Sequence, residues 1–324
     1  MSLGRVLVTG AGGFVARGVA AELERRGHPL TLATRRPDAL RPGMGVRVAH
    51  VGDLGPATSW NEALTGVSAV VHCAAHVHVA AERAAREAEL FDRVNRAGSV
   101  RLLEAAAVAG VRSFVFLSSI TVLGDETQLG CPFDDESPPD PQTVYAMSKL
   151  EAERELASFA DARGIRLIIL RPPLICGAGV GGNLRSLLRL CDTPLPLPFG
   201  AARNRRSLLS LPNLADAICT ILAEPGGETG TFVLADREPV STADIVAEFR
   251  RGLGRTPRLW FLPEGVSRAL SRAGGREGLH RRLFGSLEID SSRFRHAFGW
   301  RGAATTSETL AATARASRRA SEIS

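Results

Sequence analysis

RVLVTG, at residues 5–10, is an apolar run closed by a glycine, and GVAAELERRG (18–27) follows with apolar positions at helical spacing that stop at Gly27. The order is strand, tight turn, helix. LTLAT (30–34) predicts a second strand, VRVAHVGDL (46–54) a third and AVVHCAA (69–75) a fourth, with NEALTGV (61–67) as a short helical piece between the last two. NRAGSVRLLEAAAVAG (95–110) has a helical pattern and leads into VRSFVFLSSI (111–120) as a fifth strand. After a helix that begins near Tyr145, the continuous apolar run of RLIILRPP (166–173) suits a strand covered on both faces. This rhythm predicts an α/β fold built on a doubly wound parallel sheet.

Past residue 176 the pattern changes: GAGVGGNLRSLLRLCDTPLPLPFG mixes glycines, a short helix and prolines. We therefore expect a dinucleotide-binding domain with the catalytic helix over residues 1–175 and, over 176–310, mainly a smaller C-terminal substrate-binding lobe. TFVLAD (231–236) is expected to return to the main sheet. Residues 311–324, rich in Ala, Ser and Arg without apolar periodicity, are expected to fray.

Composition narrows the function. The chain has 324 residues, and Lys and Arg outnumber Asp and Glu by 40 to 34, but the arginines are scattered and only 5% of residues are aromatic. That argues against nucleic acid and fits a basic surface serving small anions. The five cysteines form no CxxC pair and read as small buried hydrophobes of a reduced compartment. No apolar run approaches the roughly 18 residues of a membrane span, and no leader-like segment precedes RVLVTGAG. The expectation is a soluble, cytoplasmic protein.

TGAGGFVARG places Gly10 and Gly13 in the first strand-to-helix turn, with Phe14 and Val15 opening the helix. Missing side chains let the backbone approach a pyrophosphate, and the N–H groups of the helix start face its charge, as in a Rossmann dinucleotide site. Where NAD sites place an acidic residue after the second strand, this chain has Thr34, Arg35 and Arg36. A guanidinium fork suits a 2′-phosphate, so NADP is preferred and NAD is the alternative. Asp53 and Leu54 at the third strand's end, Ala74, Ala75 and His76 after the fourth, and Pro172 after the sixth complete the expected cofactor contacts.

Tyr145 is the only tyrosine, and Lys149 lies four residues on, sharing its helix face. A neighbouring ammonium and a cationic nicotinamide favour the phenolate, which can then exchange a proton with a hydroxyl or carbonyl. Serine in FLSSITVLG can hydrogen-bond the same oxygen. His76 and His78 share a strand face, but no carboxylate or cysteine pattern completes a metal set, and none is expected. DDES (134–137) reads as a solvated loop that helps cover the site.

Through TGAGGF, HCAA, VN (94–95), FLSSITVLG, YAMSK, RPPLICG and NRRSLLSLPNLADAI, the chain resembles the extended short-chain dehydrogenase/reductases of the NAD-dependent epimerase/dehydratase group. The resemblance spans roughly residues 5–302. It implies a nucleotide-sugar substrate, a homodimer formed through helices like those bearing Tyr145 and Asn95, and catalysis by Ser119, Tyr145, Lys149 and Asn95. It also implies Asn183 and Leu184 along the nucleotide diphosphate and Arg206 on a phosphate, a role that the guanidinium fork suits. Ala16 replaces the third motif glycine, while Ser210, Pro212 and Asn213 depart from the group's usual lobe residues. Ile120 stands where sugar 4,6-dehydratases carry an Asp-Glu pair, which argues against water elimination.

Two reactions remain. The Arg35-Arg36 pair favours an exchanging NADPH and hence reduction of a UDP-4-keto-6-deoxy-N-acetylhexosamine; the alternative is an NAD-dependent UDP-sugar 4-epimerase. A redox-silent dinucleotide-binding protein is a further alternative, disfavoured by the intact Ser119, Tyr145 and Lys149 set.

Overall fold

The computed structural model describes residues 4–40, 43, 45–77, 84–224, 226–263, 265–266 and 283–323. The predicted strands form β1 (Arg5–Thr9), β2 (Leu30–Thr34), β3 (Val46–His50), β4 (Val67–His72), β5 (Ser113–Leu117) and β6 (Arg166–Arg171). A short pair, β7 (Ile175–Cys176) and β8 (Leu209–Ser210), stands apart, and β9 (Gly230–Val233) joins the main sheet. The order is β3-β2-β1-β4-β5-β6-β9, all parallel. The order reverses between β1 and β4, which opens a ligand crevice beyond their carboxyl ends.

Helices cover both faces. Against one lie α1 (Phe14–Arg25) and, later in the chain, α6 (Leu211–Ala223) and α8 (Ser292–Phe298), which enclose Val6, Val8, Leu23, Ile168 and Phe232. Against the other lie α3 (Gly98–Val108) and α4 (Val144–Arg163), around Leu7, Val70, Phe114 and Leu156. Preceding α3 are α2 (Ala84–Phe91) and a wide π turn, Asp92–Ala97. A third core, with Leu184, Leu188, Phe199 and Phe249, belongs to the lobe built around α5 (Gly182–Cys191), α7 (Thr242–Gly252) and α9 (Thr306–Ile323).

Several expectations change. Residues 61–66 are successive turns rather than a helix, and Gly66 ends them at φ +69°. Within 176–310, β9 returns to the main sheet as expected, and α6 and α8 also pack against that sheet rather than in the lobe. The end of the chain is helical: α9 docks on α7 through buried Leu310, Ala311, Thr313 and Ala314, and exposure begins mainly at Arg315. Cys176, Cys191 and Cys219 are buried as expected, but Cys131 is exposed. Ala16 fits fully buried between α1 and the sheet, so its methyl is absorbed by the core.

Candidate functional site

Gly10 adopts φ +70°, and a Cβ there would stand 2.9 Å from the Ala74 Cα. The loop after β1 and the strand end of β4 therefore touch as only glycine allows. Gly13 N donates to Gly10 O at 2.7 Å, closing the turn. Gly13 caps α1 without a side-chain hydrogen bond, so the first-turn N–H groups face the crevice uncapped by a side chain. Phe14 packs toward the lobe core and Val15 toward the sheet core. This glycine cradle, with the helix start behind it, fits the pyrophosphate of a dinucleotide.

Where a free guanidinium fork was expected, at the ends of β2 and β3, the residues are engaged. Thr34 is buried and its Oγ1 accepts from Arg36 N at 3.1 Å. Arg35 is not a free fork: its Nη1 lies 2.9 Å from Asp53 Oδ1, and this pairing holds the Asp53 carboxyl below its ordinary range. Leu54 is partly buried against the α3 and α4 side.

The residues nominated for chemistry converge where β5 ends and α4 begins. Thr143 Oγ1 accepts from Ala146 N at 3.1 Å, starting α4 two residues before Tyr145. Tyr145 is hydrogen-bonded with Ser119, yet burial dominates and pushes its phenol up to about 12. Ser119 Oγ accepts from Thr121 N at 3.2 Å and sits 2.9 Å from Thr121 Oγ1, which fixes its rotamer. One helical turn below Tyr145, Lys149 is 1% exposed. Its Nζ donates to Leu117 O at 2.8 Å and lies 4.4 Å from the Phe116 ring centroid. Burial pulls this ammonium down to about 8, against the attraction of Glu153.

Asn95 is fully buried in the π turn and ties two walls together. Its Oδ1 accepts from His76 N at 2.8 Å, and its Nδ2 donates to His76 O at 3.2 Å and Ser148 Oγ at 3.1 Å. Ser148 Oγ in turn donates to Tyr145 O at 2.8 Å. His76 Nε2 is buried with no hydrogen-bond partner among the described residues, an orphaned polar atom beside the strand end that would line the cofactor. His78 lies outside the described residues; among those described, no group of His, Cys, Asp and Glu could hold a metal ion.

Two polar networks beneath this site went unread in the sequence. His72 is fully buried at the end of β4, where burial and then the Lys149 charge pull it down to about 3, so it is neutral. Ser99 Oγ donates to Asn95 O at 2.6 Å and so accepts from His72 Nε2 at 2.9 Å, which leaves His72 Nδ1 to accept from Thr9 Oγ1 at 2.6 Å. The second network joins Glu153, one turn past Lys149, to Arg171 at 2.6 Å and to Ser118 Oγ. A lone histidine in an apolar strand, and an acid four residues after a lysine, were the available signals.

The residues expected to contact the substrate are less closely assembled. Pro172 is buried and its carbonyl accepts from Ile120 N at 2.9 Å, so it braces the Ser119 turn. Asn183 is exposed at the start of α5, whereas Leu184 is 3% exposed in the lobe core and leaves only its backbone for a ligand. Arg206 is half-buried and its Nη1 donates to Gly285 O at 2.9 Å. The DDES loop is not merely solvated: the Asp135 side chain is 2% exposed, accepts from Val233 N, and pairs with Arg293 at 3.5 Å. Among the described residues, no helix is long and apolar enough to cross a membrane.

A family model described as "NAD dependent epimerase/dehydratase family" matches residues 6–235. A UDP-glucose 4-epimerase of Vibrio cholerae is 35% identical over 96% of this chain and 94% of its own length. In fold, the chain matches the UDP-N-acetylglucosamine 4-epimerase from Bacillus cereus at a TM-score of 0.76, with 19% identity over 97% of this chain and 99% of that one. It also matches a Thermus thermophilus UDP-glucose 4-epimerase in complex with NAD at a TM-score of 0.75, with 22% identity over 97% of this chain and 99% of that one.

Proposed function

Because the chain belongs to the NAD dependent epimerase/dehydratase family, we propose that it interconverts a UDP-hexose and its C4 epimer with a nicotinamide dinucleotide that is retained through the cycle. The convergence of Ser119, Tyr145 and Lys149 at the carboxyl end of β5, on the same edge of the parallel sheet as the glycine cradle after β1, carries the proposal. The likeness to a 4-epimerase along 96% of the chain directs it to C4.

When bound, the nicotinamide supplies hydride exchange at the sugar carbon, and the positive charge of its oxidised ring draws Tyr145 toward the phenolate. Tyr145 takes the proton from the C4 hydroxyl as a ketone forms and returns it after the sugar has turned over. Ser119 Oγ, already oriented by Thr121 and Tyr145, hydrogen-bonds the same oxygen in both directions. Lys149 spends one N–H on Leu117 O and keeps two for the cofactor's ribose. Asn95, through Ser148, holds the first turn of α4 against the His76 wall. Gly10, Gly13 and the start of α1 take the pyrophosphate, while Asn183 and Arg206 recognise the diphosphate of the substrate.

NAD suits this reaction, and the engagement of Arg35 by Asp53 supports it over NADP. The second reading, NADPH-dependent reduction of a UDP-4-keto sugar, is favoured by Thr34 in place of an acid and by Arg36 beside it. We further propose a homodimer through α3 and α4, whose exposed Val108, Val144 and Met147 suit an apolar contact. Sedimentation of the purified protein at twice the monomer mass supports it; a monomer at all concentrations contradicts it.

The test is incubation of the purified protein with UDP-glucose and no added cofactor. Appearance of UDP-galactose without net change in NADH or NADPH is expected. Failure, combined with NADPH-dependent reduction of a UDP-4-keto sugar, would move the assignment to the reductase.

A further inference from the structure

His72 is an imidazole where the core otherwise takes apolar side chains. Its β4 neighbours Val70 and Val71 are buried, and its ring packs on Phe114, edge-on with centroids 6.1 Å apart, and on Phe116, stacked at 5.8 Å. Burying an imidazole there costs free energy unless both nitrogens find partners. Nδ1 accepts from Thr9 Oγ1 at 2.6 Å, directly across the β1–β4 pairing, and Thr9 Oγ1 accepts from Ala74 N at 3.2 Å. Thr9 precedes Gly10, and Ala74 is the residue that Gly10 approaches too closely for any side chain. This nitrogen therefore fixes the turn that takes the pyrophosphate.

The other nitrogen reaches the catalytic helix. Nε2 donates to Ser99 Oγ at 2.9 Å and Ser99 Oγ donates to Asn95 O at 2.6 Å; Asn95 Nδ2 donates to Ser148 Oγ at 3.1 Å and Ser148 Oγ to Tyr145 O at 2.8 Å. Each hydroxyl passes its one proton onward, so only a neutral imidazole with its proton on Nε2 completes the chain. Thr9, His72, Ser99, Asn95 and Ser148 are at most 3% exposed, so a broken link leaves a buried polar group unpaired. We infer that His72 is a positioning residue of the reaction: its two nitrogens tie the dinucleotide turn after β1 to the π turn that holds the start of α4, giving the dinucleotide and Tyr145 one mutual placement. This rests on the reading of Tyr145 as the proton carrier and of the Gly10 turn as the seat of the dinucleotide.

Two substitutions separate the nitrogens. In His72→Asn the amide oxygen takes the place of Nδ1 and accepts from Thr9, and nothing reaches Ser99. In His72→Gln the amide nitrogen takes the place of Nε2 and donates to Ser99, while Thr9 loses its acceptor. His72→Asn should lower kcat with UDP-glucose about tenfold more than His72→Gln does, the scale of a small misplacement at the reacting atoms. His72→Gln should weaken NADH, followed by fluorescence titration of the full chain, about threefold more than His72→Asn does, the scale of one lost hydrogen bond. Tyr145 is the only tyrosine, so protein grown on [¹³Cζ]tyrosine gives one phenol line by NMR, which His72→Asn should move further than His72→Gln. Urea midpoints lowered alike in both variants, with no split in NADH affinity, kcat or the tyrosine line, would overturn the assignment. If neither variant folds, Ser99→Ala and Thr9→Val cut the chain on either side of His72 and must show the same split, the first in kcat and the second in NADH affinity; its absence overturns the assignment too. A parent without 4-epimerase activity whose variants still split in NADH affinity and in the tyrosine line defeats the proposed reaction and leaves the positioning role standing.

Discussion

Arg35 and Asp53 hold one another, Nη1 to Oδ1 at 2.9 Å, across the ends of β2 and β3. From sequence both residues were assigned to one cofactor, Arg35 to a 2′-phosphate and Asp53 to the contacts at the third strand's end. The pair is exposed and so contributes little to stability, but it decides where the guanidinium points. Asp53→Asn should release Arg35 and raise the ratio of NADPH to NADH affinity several-fold, read by fluorescence titration. An unchanged ratio would show that Arg35 takes no part in cofactor choice.

Tyr145→Phe keeps the ring contact with Phe91, centroids 6.0 Å apart, and removes only the hydroxyl. Turnover should fall by roughly 10² to 10⁴ while dinucleotide affinity stays within a few fold. Activity near the parent level would remove Tyr145 from proton transfer.

Lys149 has a sign that stability can read. Its folded value of about 8 lies below the unfolded one, near 10.4. Between those values the unfolded chain binds more protons, so stability rises with pH from about 8 to about 10.4. Below about 8 the cost of the buried ammonium is constant. Subtracting the urea midpoints of Lys149→Met from those of the parent across pH 7 to about 10.5 should leave that rise as the difference. A flat difference would mean that Lys149 is not desolvated as its 1% exposure indicates.

Glu153 and Arg171 are 4% and 8% exposed and meet at 2.6 Å. Arg171→Met strips the carboxylate of its fork while Ser118 remains. Chemical unfolding should show a loss of about 3–5 kcal/mol, the scale for orphaning a buried charge. A loss well below about 1 kcal/mol would mean that water or Lys149 replaces the fork.

The parts that were legible in sequence are those whose pattern is periodic or whose spacing is fixed. The β1 turn showed itself through Gly10 and Gly13, and the Tyr145–Lys149 face followed from four-residue spacing on a helix. Helix α9 did not, because past Leu310 its buried face is made of Ala311, Thr313 and Ala314, too small to give apolar periodicity. NEALTGV has helical spacing but becomes turns that end at Gly66 in the left-handed region. The His72 and Glu153 networks depend on contacts 63 and 18 residues distant in the chain, which no local pattern records.

Hydride return at C4 is the central claim, and a label at that carbon tests it most directly. UDP-[4-²H]glucose incubated with the protein and no added cofactor should give UDP-[4-²H]galactose with the deuterium retained, observed by NMR. Galactose product without the label, or no product from a folded protein that holds a dinucleotide, would contradict 4-epimerisation through Tyr145 and Ser119.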